Sequence, residues 1–133
     1  MAANILLVED EPGIQELLKF NLAQAGHSVT VTGDAENALK FLKSSLPDVI
    51  LLDMVMPHMD GLEAIIEIRK NWPEAKIIVL TSFSDDEKVF AAIRSGALGY
   101  LLKESSPQDL LQAIYSVARG EGFLSPSIAS KVM

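Results

Sequence analysis

The sequence contains no cysteine, which excludes disulfides, thiol nucleophiles and cysteine-ligated zinc or iron–sulfur centres, and fits a cytoplasmic setting. It also lacks the uncharged apolar run of about 18 residues that a membrane helix needs, so contact with a membrane is not expected. Residues 1–10 have no basic stretch, and the short apolar run Ile5–Val8 meets Glu9 and Asp10, which suits a buried strand better than an export signal. Positive charge is scarce as well: 11 Lys plus Arg stand against 18 Asp plus Glu, a net charge of −7. These residues therefore carry no electrostatic footprint for gripping nucleic acid, and any DNA contact would have to come from chain outside them. What remains is a chain of 133 residues, 49% apolar, large enough to bury one core without staples.

Short apolar runs recur at Ile5–Val8, Val49–Leu52, Ile77–Leu80 and Tyr100–Leu102, with a weaker one at Val29–Val31. Each is bounded by polar or turn residues, as strands buried on both faces are. Segments of helical length lie between them. The first follows Pro12, puts Ile14, Leu17, Leu18 and Leu22 on one face and stops at Gly26. Asp34 opens a helix with Ala38, Leu39 and Leu42. Asp60 with Glu63, and Ser84 with Glu87, have capping-box spacing ahead of Leu62, Ile65, Ile66 and of Val89, Ala92, Ile93, the latter closing at Gly96. Ser106-Pro107 opens a last helix with Leu110, Leu111, Ile114 and Val117 inward and a stop at Gly120. Five strand–helix units predict an α/β fold, a five-stranded parallel sheet with helices on both faces, because parallel strands need crossover connections. Residues 1–120 form one domain in this reading. Residues 121–133 leave the pattern, as a C-terminal extension or the start of a linker.

Sites in such sheets lie at the carboxyl ends of the strands, and the polar residues gather there. Glu9 and Asp10 follow strand one, Asp53 ends strand three, Thr81 and Ser82 end strand four, and Lys103 follows strand five. Three crowded carboxylates repel one another unless a cation sits among them. An all-oxygen set without histidine or cysteine suits Mg²⁺, which is held by few carboxylates plus a phosphate. Lys103 and a hydroxyl donor at Thr81 would then meet an incoming phosphoryl group.

Four segments in register, Leu6-Leu7-Val8-Glu9-Asp10-Glu11, Leu51 to Gly61, Thr81-Ser82 and Tyr100-Leu101-Leu102-Lys103, closely resemble the receiver domains of two-component response regulators. The resemblance implies the flavodoxin-like strand order 2-1-3-4-5 and a phosphoacceptor switch, in which Asp53 takes a phosphoryl group from a sensor histidine kinase. It assigns Glu9, Asp10, Asp53 and the Val55 carbonyl to Mg²⁺, Thr81 and Lys103 to the phosphoryl oxygens, and Tyr100 to a rotamer switch. Val55 and Phe83, two residues beyond Asp53 and Thr81, would flank the path of the hydrolytic water. The run 80–86, Gly96-Ala97 and the ending 120–126 resemble the NarL/FixJ class, which implies a homodimer on phosphorylation and a helix-turn-helix output domain absent from this chain. One departure stands out, Glu104, where the family commonly has a proline, often with a cis bond; a cis peptide is not expected here.

Plainer readings compete at several positions. Glu11, Asp60, Asp85 and Asp86 read as solvated or helix-capping acids. His27 and His58 read as surface residues, and Met54, Met56 and Met59 as loop-anchoring core. Tyr100, taken as an aromatic of an edge strand, could be packing alone. A magnesium-dependent phosphatase with an aspartate nucleophile would want an acid/base two residues beyond Asp53, where this chain has Val55. A receiver reduced to a docking module would not need Asp53, Thr81 and Lys103 together.

Overall fold

The computed structural model describes residues 2–54, 61–81, 86–103 and 105–124, with backbone only for 86–89. Along the chain run β1 (Asn4–Val8), α1 (Pro12–Gln24), β2 (Ser28–Thr32), α2 (Ala35–Ser44), β3 (Val49–Asp53) and α3 (Gly61–Asn71). They are followed by β4 (Ile77–Thr81), α4 (Asp86–Arg94), β5 (Gly99–Leu102), α5 (Pro107–Ala118) and β6 (Phe123–Leu124). The helix boundaries follow local chemistry. Pro12 and Pro107 occupy the first turns of their helices, where a missing N–H costs nothing. The Asp34 carboxylate accepts the Asn37 N–H at 2.8 Å and the Ser106 hydroxyl accepts that of Asp109 at 3.1 Å, caps each contributing about 1 kcal/mol. Gly26 and Gly120, where helices were expected to stop, have φ of 94° and 85°, a region that glycine enters without strain. The expected capping boxes of Asp60 and Ser84 lie outside the described residues.

All strands pair in parallel in the order β2-β1-β3-β4-β5-β6. The first five reproduce the expected order, and β6 is an addition to the expected five-stranded sheet. Two residues are too few to show a period in sequence, but Phe123 N–H donates to the Leu98 carbonyl at 3.0 Å and Leu124 comes into register with Tyr100. Tyr100 is therefore not on an edge strand, as the sequence reading had it, and it is fully buried.

Strand alternation divides the core in two. Leu6, Val8, Ile50, Leu52, Ile77, Val79 and Tyr100 face α2, α3 and α4, whereas Ile5, Leu7, Val49, Leu51, Ile78, Leu80 and Leu101 face α1 and α5. Burying each such side chain stabilises the fold by roughly 1.5–3 kcal/mol. Among the described side chains, which leave out Val89, the helical faces hold with two corrections: Leu17 and Ile66 were expected to face inward but are 55% and 52% exposed, because Leu18, Leu22 and Ile65 already fill the positions against the sheet. His27 is half-buried rather than a free surface residue, its Nδ1 accepting the Ala3 N–H at 3.0 Å. No helix of the described residues is long and apolar enough to cross a membrane.

Candidate functional site

Pairing register sets where the polar residues fall. Val8 is opposite Leu52, Asp53 opposite Leu80, and Thr81 opposite Leu102, so the carboxyl ends of β1, β3, β4 and β5 finish level with one another. Glu9, Asp53, Thr81 and Lys103 are thereby brought to one rim of the sheet. Glu9, Asp53 and Thr81 are buried, and Asp10 faces outward. Carboxylate oxygens of Glu9, Asp10 and Asp53 all lie within 4.8 Å of one another.

Lys103 joins this group from the far side. Its Nζ donates to Asp53 Oδ2 at 3.0 Å and lies 3.2 Å from Glu9 Oε1, while its backbone N–H is tied to the Thr81 carbonyl at 2.8 Å. Burial pulls its ammonium down, but the hydrogen bond and charge of Asp53, then those of Glu9, outweigh burial and hold its pKa above the ordinary lysine value. Glu9 is pushed up to about 7, first by burial and then by its hydrogen bond with Asp53, against the lowering effect of the Glu11 N–H and Lys103. Two buried carboxylates with one ammonium between them are short of positive charge. That deficit, together with an all-oxygen donor set and an exposed third carboxylate, fits a hard divalent cation of the Mg²⁺ type.

The structure thus assembles Glu9, Asp10, Asp53, Thr81 and Lys103 as expected, and places Tyr100 under the same rim with its ring inside the core. Val55, Phe83, Ser82, His58 and Glu104 lie outside the described residues, as do Met56 and Met59, while Met54 is buried as expected. Two contributors were not singled out from sequence. Gly61 donates its N–H to the Met54 carbonyl at 2.9 Å, and a Cβ there would stand 2.6 Å from Met54 Cα. Only glycine lets α3 begin against the residue that follows Asp53. Gln15, in the first turn of α1, donates its side-chain N–H to the Glu9 carbonyl. A glycine next to a helix start gives some warning of a close approach; a glutamine on a helix gives none.

Residues 5–115 match the response regulator receiver domain family. The chain therefore belongs to the response regulator receivers of two-component signalling, and it is a signalling domain. It is 39% identical to the transcriptional regulatory protein LiaR of Bacillus subtilis, covering 97% of this chain and 62% of that protein. It is 38% identical to the nitrate/nitrite response regulator protein NarL of Escherichia coli, covering 95% and 59%. The chain spans about three-fifths of the length of these curated relatives. A two-component response regulator of the LuxR family from Aurantimonas superposes with a TM-score of 0.94 at 30% identity, over 99% of this chain and 96% of that one. The chemotaxis protein CheY4 of Vibrio cholerae gives 0.82 at 30% identity, over 88% and 99%.

Proposed function

We propose that this receiver is a phosphoacceptor switch whose modified residue is Asp53 and whose donor is a phosphohistidine on a sensor histidine kinase. The observation that carries the reading is Lys103 Nζ, set between the buried Asp53 and Glu9 carboxylates. An Asp53 oxygen attacks phosphorus in line, the P–N bond to the donor imidazole breaks, and the nitrogen keeps the electron pair and takes up a proton. The product is an aspartyl phosphate. Lys103 moves its hydrogen bond from the Asp53 carboxylate to a phosphoryl oxygen, and the Thr81 hydroxyl donates to another. Glu9, Asp10 and Asp53, with the Val55 carbonyl that the family resemblance adds, would hold Mg²⁺, which would supply positive charge to offset that of the transferring group. Because β5 carries Tyr100 and leads directly into Lys103, a shift of Lys103 toward the phosphoryl group is felt by the tyrosine beneath it. That coupling biases a two-state surface.

Output follows from assembly in this reading. Phosphorylation favours a homodimer, and DNA is reached through a C-terminal domain outside these residues, in keeping with the transcriptional regulators the chain resembles. In this reading residues 1–120, with β6 completing the edge of their sheet, form the receiver, the residues after β6 begin the connection, and the protein works in the cytoplasm.

The test is intact-mass analysis after treatment with an acyl phosphate and Mg²⁺. Wild type gains one phosphoryl group, and Asp53→Asn gains none while keeping its fold. Undiminished labelling of that variant would remove Asp53 from its role.

A further inference from the structure

β1 leaves its pairing ladder just before the acidic rim. Its last paired residue is Val8, opposite Thr32 on one side and Leu52 on the other. The Glu9 N–H still reaches the Thr32 carbonyl at 3.0 Å, and among the described residues no further backbone hydrogen bond ties Glu9 to a neighbouring strand. Something else must fix the Glu9–Asp10–Glu11 turn. The helix that follows starts without a side-chain cap: the Glu11 side chain makes no capping bond, and the first turn holds no acid. The turn is instead braced from both ends. The Glu9 carboxylate accepts the Glu11 N–H through Oε2 at 3.2 Å, and the Gln15 side-chain amide donates to the Glu9 main-chain carbonyl.

The second brace acts on Asp10. The Glu9 carbonyl and the Asp10 N–H belong to one planar peptide unit, so holding the carbonyl restrains that plane and the place of the Asp10 Cα at its end, leaving rotation about the Asp10 N–Cα bond and the side-chain torsions to aim the carboxylate. Asp10 is exposed, so packing of its side chain does little to hold its direction. Its carboxylate nonetheless converges with those of Glu9 and Asp53.

We infer that Gln15 is a positioning residue for cation binding, holding the Glu9–Asp10 peptide so that the Asp10 carboxylate is aimed at the site before a divalent cation arrives. The inference rests on the metal reading of the acidic rim. Gln15 touches neither the cation nor the phosphoryl group. Its effect is on preorganisation, and losing such an outer hydrogen bond typically costs 10- to 100-fold in metal affinity, about tenfold being expected for one amide on a partly exposed turn.

The test follows amide NMR shifts of the whole chain titrated with Mg²⁺ alone. Gln15→Met keeps the length of the side chain and removes the donor, and Gln15→Leu does the same should the first variant misfold. Either is expected to weaken Mg²⁺ binding about tenfold while the metal-free melting temperature stays at the wild-type value. In an Asp10→Ala background the same substitution is expected to have no further effect, since a residue that works through Asp10 has nothing left to aim. Unchanged affinity in Gln15→Met, or an undiminished effect in the Asp10→Ala background, overturns the positioning role and leaves the metal site standing. Absence of Mg²⁺ binding by the wild-type chain overturns both.

Discussion

β3 passes through two environments in five residues. Val49 to Leu52 are fully buried between two helical layers and meet apolar neighbours on each side. One residue further on, Asp53 is just as buried, yet a second buried carboxylate stands beside it and an ammonium bridges the two. Burial lowers the free energy in the first environment and raises it in the second. The middle of the sheet is therefore stable whatever the ionic conditions. On the proposed reading, the carboxyl end is where added charge, from a cation or a phosphoryl group, would change which arrangement is preferred.

The largest effects expected are those that separate the two environments directly. Leu51→Ala should cost roughly 2–5 kcal/mol in urea unfolding, by the same amount at pH 5.5 and pH 8 and with or without Mg²⁺. Lys103→Met should cost on the order of 3 kcal/mol at pH 8, because it leaves buried carboxylates without their cation. That loss should shrink at pH 5.5, where Glu9 is protonated, and shrink again in excess Mg²⁺. A Lys103→Met penalty as indifferent to pH and metal as that of Leu51→Ala would erase the distinction.

A smaller effect comes from Glu9 alone. Its pKa lies at about 7 in the folded, metal-free chain against an ordinary value of 4.5, with burial as the main cause and the Asp53 hydrogen bond second. Between those values the folded state holds more protons than the unfolded one, so the Glu9 contribution to stability declines as pH rises from about 4.5 through about 7 and is flat above. Cation binding requires the deprotonated form, so apparent Mg²⁺ affinity should climb over the same interval and then level off. Thermal melts without metal and Mg²⁺ titrations across that range read the two trends. Glu9→Gln should abolish the first.

The smallest effect is kinetic and concerns what the rim does once charged. Val55 and Phe83 offer no side-chain donor or acceptor to orient an attacking water, so the aspartyl phosphate should be long-lived. Val55→Asn or Phe83→Glu should speed its loss, and tenfold acceleration needs only about 1.4 kcal/mol of barrier lowering. Decay is followed by intact mass in excess Mg²⁺ after removal of the donor. Equal or slower decay in both variants would shift control of lifetime to cation occupancy or to burial of the phosphoryl group.

Much of this was legible in the sequence because it rests on periods and on ends. Uninterrupted apolar runs mark strands covered on both sides, and acids or hydroxyls directly after them can only fall on the carboxyl rim. Pro12, Asp34, Ser106 and Pro107 announce helix starts through their own chemistry. Contacts that depend on how elements meet were not legible. Leu17 carries the same apolar signal as Leu18, and only the angle at which α1 lies on the sheet decides which one is covered. The approach of Gly61 to Met54 and the reach of Gln15 to Glu9 join residues whose proximity the one-dimensional pattern does not encode. β6 escaped for the same reason: its two residues are strand only because the Leu98 carbonyl and the β5 edge are there to receive them.

That short strand also bears on how the chain behaves while it is being made. β5 is complete once residue 102 has emerged from the ribosome, but its outer backbone groups at Gly99 and Tyr100 gain their partners only when Phe123 and Leu124 follow. For the time needed to add those residues, on the order of one to a few seconds at cellular elongation rates, the last strand of the sheet is an open template. The strand that carries Tyr100 and leads to Lys103 is thus covered on its outer edge only by the last described residues of the chain.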